Sequence, residues 1–320
     1  MKNKGKQVSV FEPIAAFFLG KDRLNRKDAM WGYIFSLPWL VGFLLLTIGP
    51  IIVSSIMSFH EWHGFGAARF VGVYNYRWIV QHDRLFKKAL QVTSSFVGLS
   101  VPLKTVAAFV VALLLSKRLF GVTVFRSMYY LPSVVTGVAV AFMWMYILDP
   151  KGPLNMLLQS VFHLKQPIGW LADPDFVVPS FVIMNVWQLG APMIILLAGI
   201  KGIPVSLYES ALIDGANGWQ RMWRITIPML SPSLFYVFVI GIIGAFQILT
   251  APIVIFGTDS GDSGGPLGSG LFYTFYLYRK AFVEGRMGYA CALAWILFVI
   301  IASLTLFNFF VLGKRIYYEE

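Results

Sequence analysis

Charge is scarce in this chain: 13% of its 320 residues are Asp, Glu, Lys or Arg, whereas 58% are hydrophobic. A soluble domain has about a quarter charged residues and is nearer half apolar. Too few charges are present to coat the core that such a chain could bury, so the composition suits lipid rather than water. Cysteine occurs once, at Cys291, which excludes an internal disulfide framework. The net charge of +11 comes without a long basic run interleaved with exposed aromatics, which argues against a nucleic-acid partner. A phosphate-cradling loop is missing as well. The nearest approach, Gly98 to Lys104-Thr105, has Leu103 where the second glycine must stand. No nucleotide, metal or other cofactor is expected on this chain, and no catalytic residue.

Apolar length is abundant. A helix needs about 20 apolar residues to cross the hydrocarbon layer, and six stretches qualify: 31–58, 93–116, 122–147, 175–200, 231–256 and 288–313. Pro38, Pro50, Pro102, Pro132 and Pro192 fall inside them, tolerable where neighbouring helices re-satisfy the freed carbonyls. The first stretch is too long and begins too far in for a cleaved signal peptide. The sequence predicts an all-α membrane protein with six transmembrane helices. Residues 1–30 form an N-terminal tail, 31–92 the first helix and an outer loop, 93–313 five further helices, and 314–320 a C-terminal tail. Residues 8–20 read either as an interfacial helix or as a loosely ordered tail.

Orientation follows from the basic residues. The N-terminus, the 117–126 and 201–230 links and the C-terminus together hold 15 Lys and Arg, and the opposite loops hold ten. The bias puts both termini in the cytoplasm. The remaining cation, Lys104, lies within the second span, either paired with an acid elsewhere or snorkelling. Trp62, Trp78, Tyr317 and Tyr318 sit at span ends, as interface anchors do.

The link between spans four and five, "IPVSLYESALIDGANGWQRMWRITIPMLSP" (203–232), is long for a loop yet patterned. Tyr208, Ala211 and Leu212 share a helical face, with Glu209 near the start of the turn. Asp214-Gly215 interrupts the pattern. A second helix follows with Trp219, Met222, Trp223 and Ile227 as its apolar face, ending at Pro228. Two short helices at an angle, outside the bilayer, present large side chains for a partner protein to cover.

This segment resembles the EAA motif of ATP-binding-cassette importer permeases, through Glu209, Ser210, Ala211, Asp214, Gly215, Ala216, Ile225 and Pro228. Ser210 stands where the motif has alanine, and Met222 where phenylalanine is common. Further likeness lies in "FVGVYNYRWIV" (70–80), in 124–158, in "GAFQIL" (244–249) and in 288–300. Together they resemble the carbohydrate-uptake subfamily, of the first-permease type in maltose and glycerol-3-phosphate systems. The resemblance implies a heterodimer with a second permease subunit, two ATPase subunits carrying ATP and Mg, and an extracytoplasmic solute-binding protein, all at a prokaryotic cytoplasmic membrane. It also implies that Glu209, Ser210, Ala211, Asp214, Gly215, Ala216 and Pro228 belong to coupling helices that dock on the ATPase, with ATP hydrolysed by that partner alone.

Two other readings come from the residues. "GDSGGPL" (261–267) matches the heptapeptide around a chymotrypsin-like nucleophile, which would make Ser263 a peptidase serine. That chemistry needs a histidine base, an orienting carboxylate and paired β-barrels. His60, His63, His82 and His163 share the predicted outer side with Ser263, but none sits in a protease-like segment, and no run of short alternating strands exists. The glycines and prolines instead suit a flexible outer connection. Polar residues within spans mark a pathway or an interhelical bond. Asn185, Gln188 and Gln247, beside Trp187 and Phe246, are candidates for sugar hydroxyl and ring contacts, while Ala191, Ala245 and Ile248 hold positions where the family has contacts. An importer of a non-sugar solute remains the second reading, since the coupling motif is indifferent to cargo.

Overall fold

The computed structural model describes residues 23–117, 120–258 and 264–311, which are almost entirely helical. Residues 1–22, the C-terminal tail and Ser263 lie outside the described residues, whereas the last part of the expected N-terminal tail, from Arg23, is already helical. Two compact units divide the chain at Met57. The first holds α1 (Arg23–Phe43), a π turn (Leu44–Ile48) and α2 (Gly49–Met57). The wide turn directly precedes Pro50, where it eases the clash between a proline ring and the preceding turn. Residues 30–57 form one continuous stretch long and apolar enough to cross a membrane.

The second unit begins with a short hairpin, β1 (His60–Glu61) against β2 (Arg69–Phe70), antiparallel with His60 opposite Phe70. Helix α3 (Tyr74–Gln81) follows. Its Asn75 donates both to the Ser58 carbonyl (2.9 Å) and to the His60 carbonyl (3.0 Å), and the Tyr76 hydroxyl donates to Ser58 Oγ (2.7 Å). The Asn-Tyr pair of the 70–80 segment therefore pins the entry to the hairpin.

Helix α4 (Arg84–Ser116) is the spine of this unit. It starts nine residues before the predicted apolar stretch at 93, because Asp83 caps it by accepting from the Phe86 amide (3.0 Å). Basic Arg84, Lys87 and Lys88 kept this turn out of the hydropathy pattern. Against α4 pack α5 (Val122–Tyr130), α8 (Pro174–Trp187), α9 (Gly190–Gly202) and α12 (Ile227–Phe246), while α6 (Gly137–Ile147) packs on the segment Thr250–Phe256 and α15 (Met287–Val311) on α3 and α12. Helix α7 (Pro153–Phe162) lies between α6 and α8 in sequence. Asn155 fixes the following loop, donating to Asp149 and Ile168 carbonyls and accepting from the Ile168 amide and Trp170 Nε1.

Four stretches qualify as single spans by length and composition: 30–57, Arg84–Ser116, Gly218–Phe256 and Met287–Phe310. The third and fourth predicted spans are bent pairs, α5 with α6 at 96° and α8 with α9 at 48°, which bring the total to six. Hydropathy reports a run's length but not its straightness.

One expectation is corrected. The glycine-rich connection after the fifth span is not loose from Gly264 onward: Gly264, Gly265 and Gly268–Tyr273 are buried. At Gly270 a Cβ would fall 2.1 Å from the Phe256 ring, and at Gly265 2.6 Å. Glycine is needed here for close approach as much as for its positive φ of 77° at Gly265. The loop leads into α14 (Tyr273–Tyr278), where the Tyr273 amide donates to Thr93 Oγ1 (2.8 Å) and its hydroxyl to the Leu293 carbonyl (2.8 Å).

The α4 cap is also a cross-link. The hydroxyls of Tyr276 and Tyr289 both donate to Asp83 Oδ2. Burial first, and then the bond to Asp83, push the Tyr276 hydroxyl far above its usual pKa, so it stays a donor throughout the accessible pH range. Asp83→Ala removes a helix cap and strands two hydroxyls. It should destabilise the detergent-solubilised chain by about 2–4 kcal/mol, seen as a lowered thermal unfolding midpoint. An unchanged midpoint would show the cross-link to be immaterial.

Candidate functional site

Three interruptions of spanning helices meet at one place. Helix α8 stops at Trp187, its last turn closed by the Gln188 amide on the Asn185 carbonyl (3.2 Å), and α9 restarts at Gly190. Between α5 and α6 the chain turns through a 3-10 segment, Leu131–Ser133. Gly190 lies against that turn: a Cβ there would sit 2.5 Å from the Tyr129 carbonyl oxygen and 2.6 Å from Ser133 Oγ. Helix α12 ends at Phe246, with the Gln247 amide on the Gly244 carbonyl (3.2 Å), and α13 (Thr250–Phe256) resumes after Leu249. The Thr274 hydroxyl donates to the Phe246 carbonyl (2.9 Å), satisfying an acceptor that the broken helix leaves open. The methyl of Thr250 would be 3.4 Å from a Cβ on Gly137, the first residue of α6.

A cavity of about 280 Å³ opens at this junction, lined by Asn185, Gln188 and Gln247 together with Gly137, Met184 and Thr250. A second, of about 320 Å³, shares Asn185 and Gly244 with it and runs along α4 to Lys104 and Thr105, opposite Tyr236. Three predicted pathway amides therefore come together. Among the described residues none of their side chains has a hydrogen-bond partner. Ala191 and Ala245 line the second cavity and Ile248 the first. The predicted aromatic partners go elsewhere. Phe246 is 3% exposed within the core and lines neither cavity, and Trp187 meets Trp144 edge-to-face at 5.9 Å. A period of 3.6 residues turns the neighbour of an inward amide away from it. Gly137, Gly190 and Thr250 carry no signal of their own in the sequence, because a glycine or threonine within a largely apolar run does not by itself mark a helix break.

The segment between α9 and α12 is built with equal definition. Helix α10 (Val205–Ile213) is followed by Gly215 at φ 75°, with the Ala216 amide on the Ala211 carbonyl (2.9 Å) and the Gly215 amide on the Leu212 carbonyl (3.1 Å). These paired bonds are a left-handed helix stop that favours glycine. Immediately after it, Asn217 opens α11 (Gly218–Arg221) through a reciprocal capping box with Gln220, both bonds 2.8 Å. Stop and start signals adjoin, so the angle between the two helices is fixed locally. Tyr208 and Thr226 join across it, hydroxyl to hydroxyl at 2.9 Å.

The second helix departs from expectation. It does not end at Pro228 but passes through a π turn (Met222–Thr226) directly into α12. The wide turn takes up the proline, as before Pro50, with the Ile227 amide bonded to the Met222 carbonyl. Pro232 also lacks the amide that would reach the Pro228 carbonyl, and Ser231 Oγ donates there instead (2.6 Å). Prolines that end a soluble helix are thus absorbed, and the second short helix is the head of the fifth span. The predicted apolar faces divide as well. Tyr208, Ala211, Met222 and Ile227 turn inward, whereas Leu212, Trp219 and Trp223 are exposed with Ile213, at 86%. Glu209, Ser210, Asp214 and Gly215 share that outer side, Ala216 is half-buried, and Pro228 lies in the helix below.

Comparison with known proteins gives the family and the fold. Residues 64–314 match the family model described as the binding-protein-dependent transport system inner membrane component. The chain is 38% identical over 301 residues to the probable ABC transporter permease protein YesP of Bacillus subtilis, covering 94% of this chain and 96% of that one. It is 32% identical to the trehalose/maltose transport system permease protein MalF of Thermococcus litoralis, covering 89% and 94%. In fold it is similar to a chain from the crystal structure of a bacterial ABC transporter involved in the import of the acidic polysaccharide alginate, with a TM-score of 0.74, 24% identity, and coverage of 92% and 99%. This chain belongs to the family of binding-protein-dependent transport system inner membrane components, a multi-pass ABC transporter permease.

Proposed function

We propose that the chain is one of two permease subunits of an ATP-driven importer that carries a sugar or oligosaccharide across the cytoplasmic membrane by alternating access. The observation that carries this reading is the meeting of three helix breaks at a cavity holding the unpaired amides of Asn185, Gln188 and Gln247. Amides without partners at membrane depth are costly unless something polar visits them, and sugar hydroxyls both donate and accept. Trehalose and maltose transport by the system of the Thermococcus litoralis relative supports the same cargo class. The rigid pair α10–α11 then serves as the docking element for an ATPase, with Glu209 and Asp214 on its outer side and Ile213, Trp219 and Trp223 as the apolar surface to be covered. Because α11 is continuous with the fifth span, a push on this pair reaches the cavity without an intervening loop. An extracytoplasmic binding protein delivers the cargo, both termini face the cytoplasm, and ATP and Mg belong to the ATPase partner.

With transport as the reading, Ser263 has no catalytic task. The test is ATP hydrolysis by the assembled complex in the presence of its binding protein, with saccharides, amino acids, peptides and polyamines supplied in turn. Stimulation by a saccharide alone is expected. Stimulation by another class, and by no saccharide, would favour the non-sugar importer.

A further inference from the structure

Lys104 is the one charged residue deep within a spanning helix of the second unit among the described residues, and no part of the family reading gives it a task. It stands twelve residues before Ser116 in α4, from 104 to 116. At about 1.5 Å per residue this places it roughly 18 Å from the helix end, well beyond the reach of a four-carbon stem that would snorkel to the surface. Among the described residues it has no carboxylate partner either. Among the described residues of this unit, no Asp or Glu occurs within a spanning helix beyond the first turn, and Lys104 makes no salt bridge. Instead it lines the second cavity together with Asn185 and Tyr236. Neighbouring Thr105 donates its hydroxyl to the Val101 carbonyl at 2.8 Å and offers the ammonium only a neutral oxygen, which carries no charge to balance it.

A cation held at membrane depth without a counter-ion faces water or an anion that arrives. The cavity it borders shares Asn185 with the amide-lined cavity, so one cargo can touch both. We propose that Lys104 is a cargo-recognition residue and that the cargo is an anionic saccharide, bearing a carboxylate that pairs with the ammonium while its hydroxyls bond the amides. This rests on the sugar-importer reading above and narrows it. A point charge on a flexible stem suits an anion that moves past it, because it holds no fixed bidentate geometry.

The test uses the assembled importer with its own binding protein in liposomes and two cargo series. One is oligosaccharides of uronic acids, and the other is the same oligosaccharides with the carboxyl groups reduced to alcohols. Wild-type ATP hydrolysis should respond to the acidic series at concentrations at least tenfold lower than to the reduced series. Lys104→Gln should lose tenfold or more of the acidic response while assembling normally, and Lys104→Arg should keep most of it. Equal wild-type response to both series would overturn the proposal but leave the sugar reading standing. So would Lys104→Gln depressing both responses alike, or preventing association with the second permease, which would assign the ammonium to a carboxylate of that subunit. Response to neither series, with response to a non-carbohydrate solute, would remove both readings.

Discussion

Replacing Gly215 with proline should leave the chain in the membrane and reduce cargo-stimulated ATP hydrolysis by at least tenfold. Gly215 holds φ at 75°, whereas proline fixes it near −65°. The substitution also removes the amide that donates to the Leu212 carbonyl. Both effects strike the four-residue join between α10 and α11, and the capping box at Asn217 cannot compensate, because it fixes only the second helix. The helices would each survive, at a changed angle. Nothing lies within 4 Å of a Cβ at this position, so the effect is one of backbone conformation and not of crowding. Gly215→Ala separates the two: it should cost about 1–2 kcal/mol for a left-handed alanine and retain measurable coupling. Normal stimulation in the proline variant would remove this turn from the transmission path.

Gly190→Leu should have the opposite profile, with loss of the folded chain instead of loss of coupling. A Cβ at Gly190 already meets backbone, the Tyr129 oxygen at 2.5 Å and Tyr130 Cα at 2.7 Å, and backbone cannot rotate away as a side-chain end can. Overpacking of this kind costs typically about 1–3 kcal/mol and occasionally more, and here it wedges apart the breaks of two spans. Thermal unfolding of the purified chain should shift down by several degrees, with little protein recovered from membranes. Gly244→Ala is the matched comparison. Gly244 borders both cavities, and a Cβ there meets nothing within 4 Å, so the fold should be retained. Equal stability of the Gly190 and Gly244 variants would contradict the packing of the two breaks.

The same contrast explains what was legible beforehand. Helix signals depend on neighbours in sequence, and where they were strong the reading held: Asp214-Gly215 as an interruption, two helices on either side of it, and six apolar runs of spanning length. What failed depended on residues far apart. The break at Gly190 lies against Tyr129 and Ser133, which leave no room there for a Cβ, and the glycine-rich loop closes over the Phe256 ring in the same way. Pro228 ended a helix on paper but is carried inside one by a π turn, a backbone adjustment without a side-chain signature. Among the candidate pathway residues, amides could be found by polarity alone, since polarity in an apolar run is conspicuous. Aromatics could not, because Phe246 and Trp187 look the same in a core as beside a cargo.

The exposed apolar groups of α10, α11 and the π turn after it bear on the central claim most directly, since Ile213, Trp219 and Trp223 leave a surface that water does not favour. Extraction in mild detergent of the tagged chain, expressed with its neighbouring genes, measures what covers it. Recovery of a second multi-span permease and an ATP-binding-cassette ATPase, with the ATPase lost on Ile213→Asp, is the result expected. A stable solitary chain, or an ATPase retained undiminished by Ile213→Asp, would contradict the account.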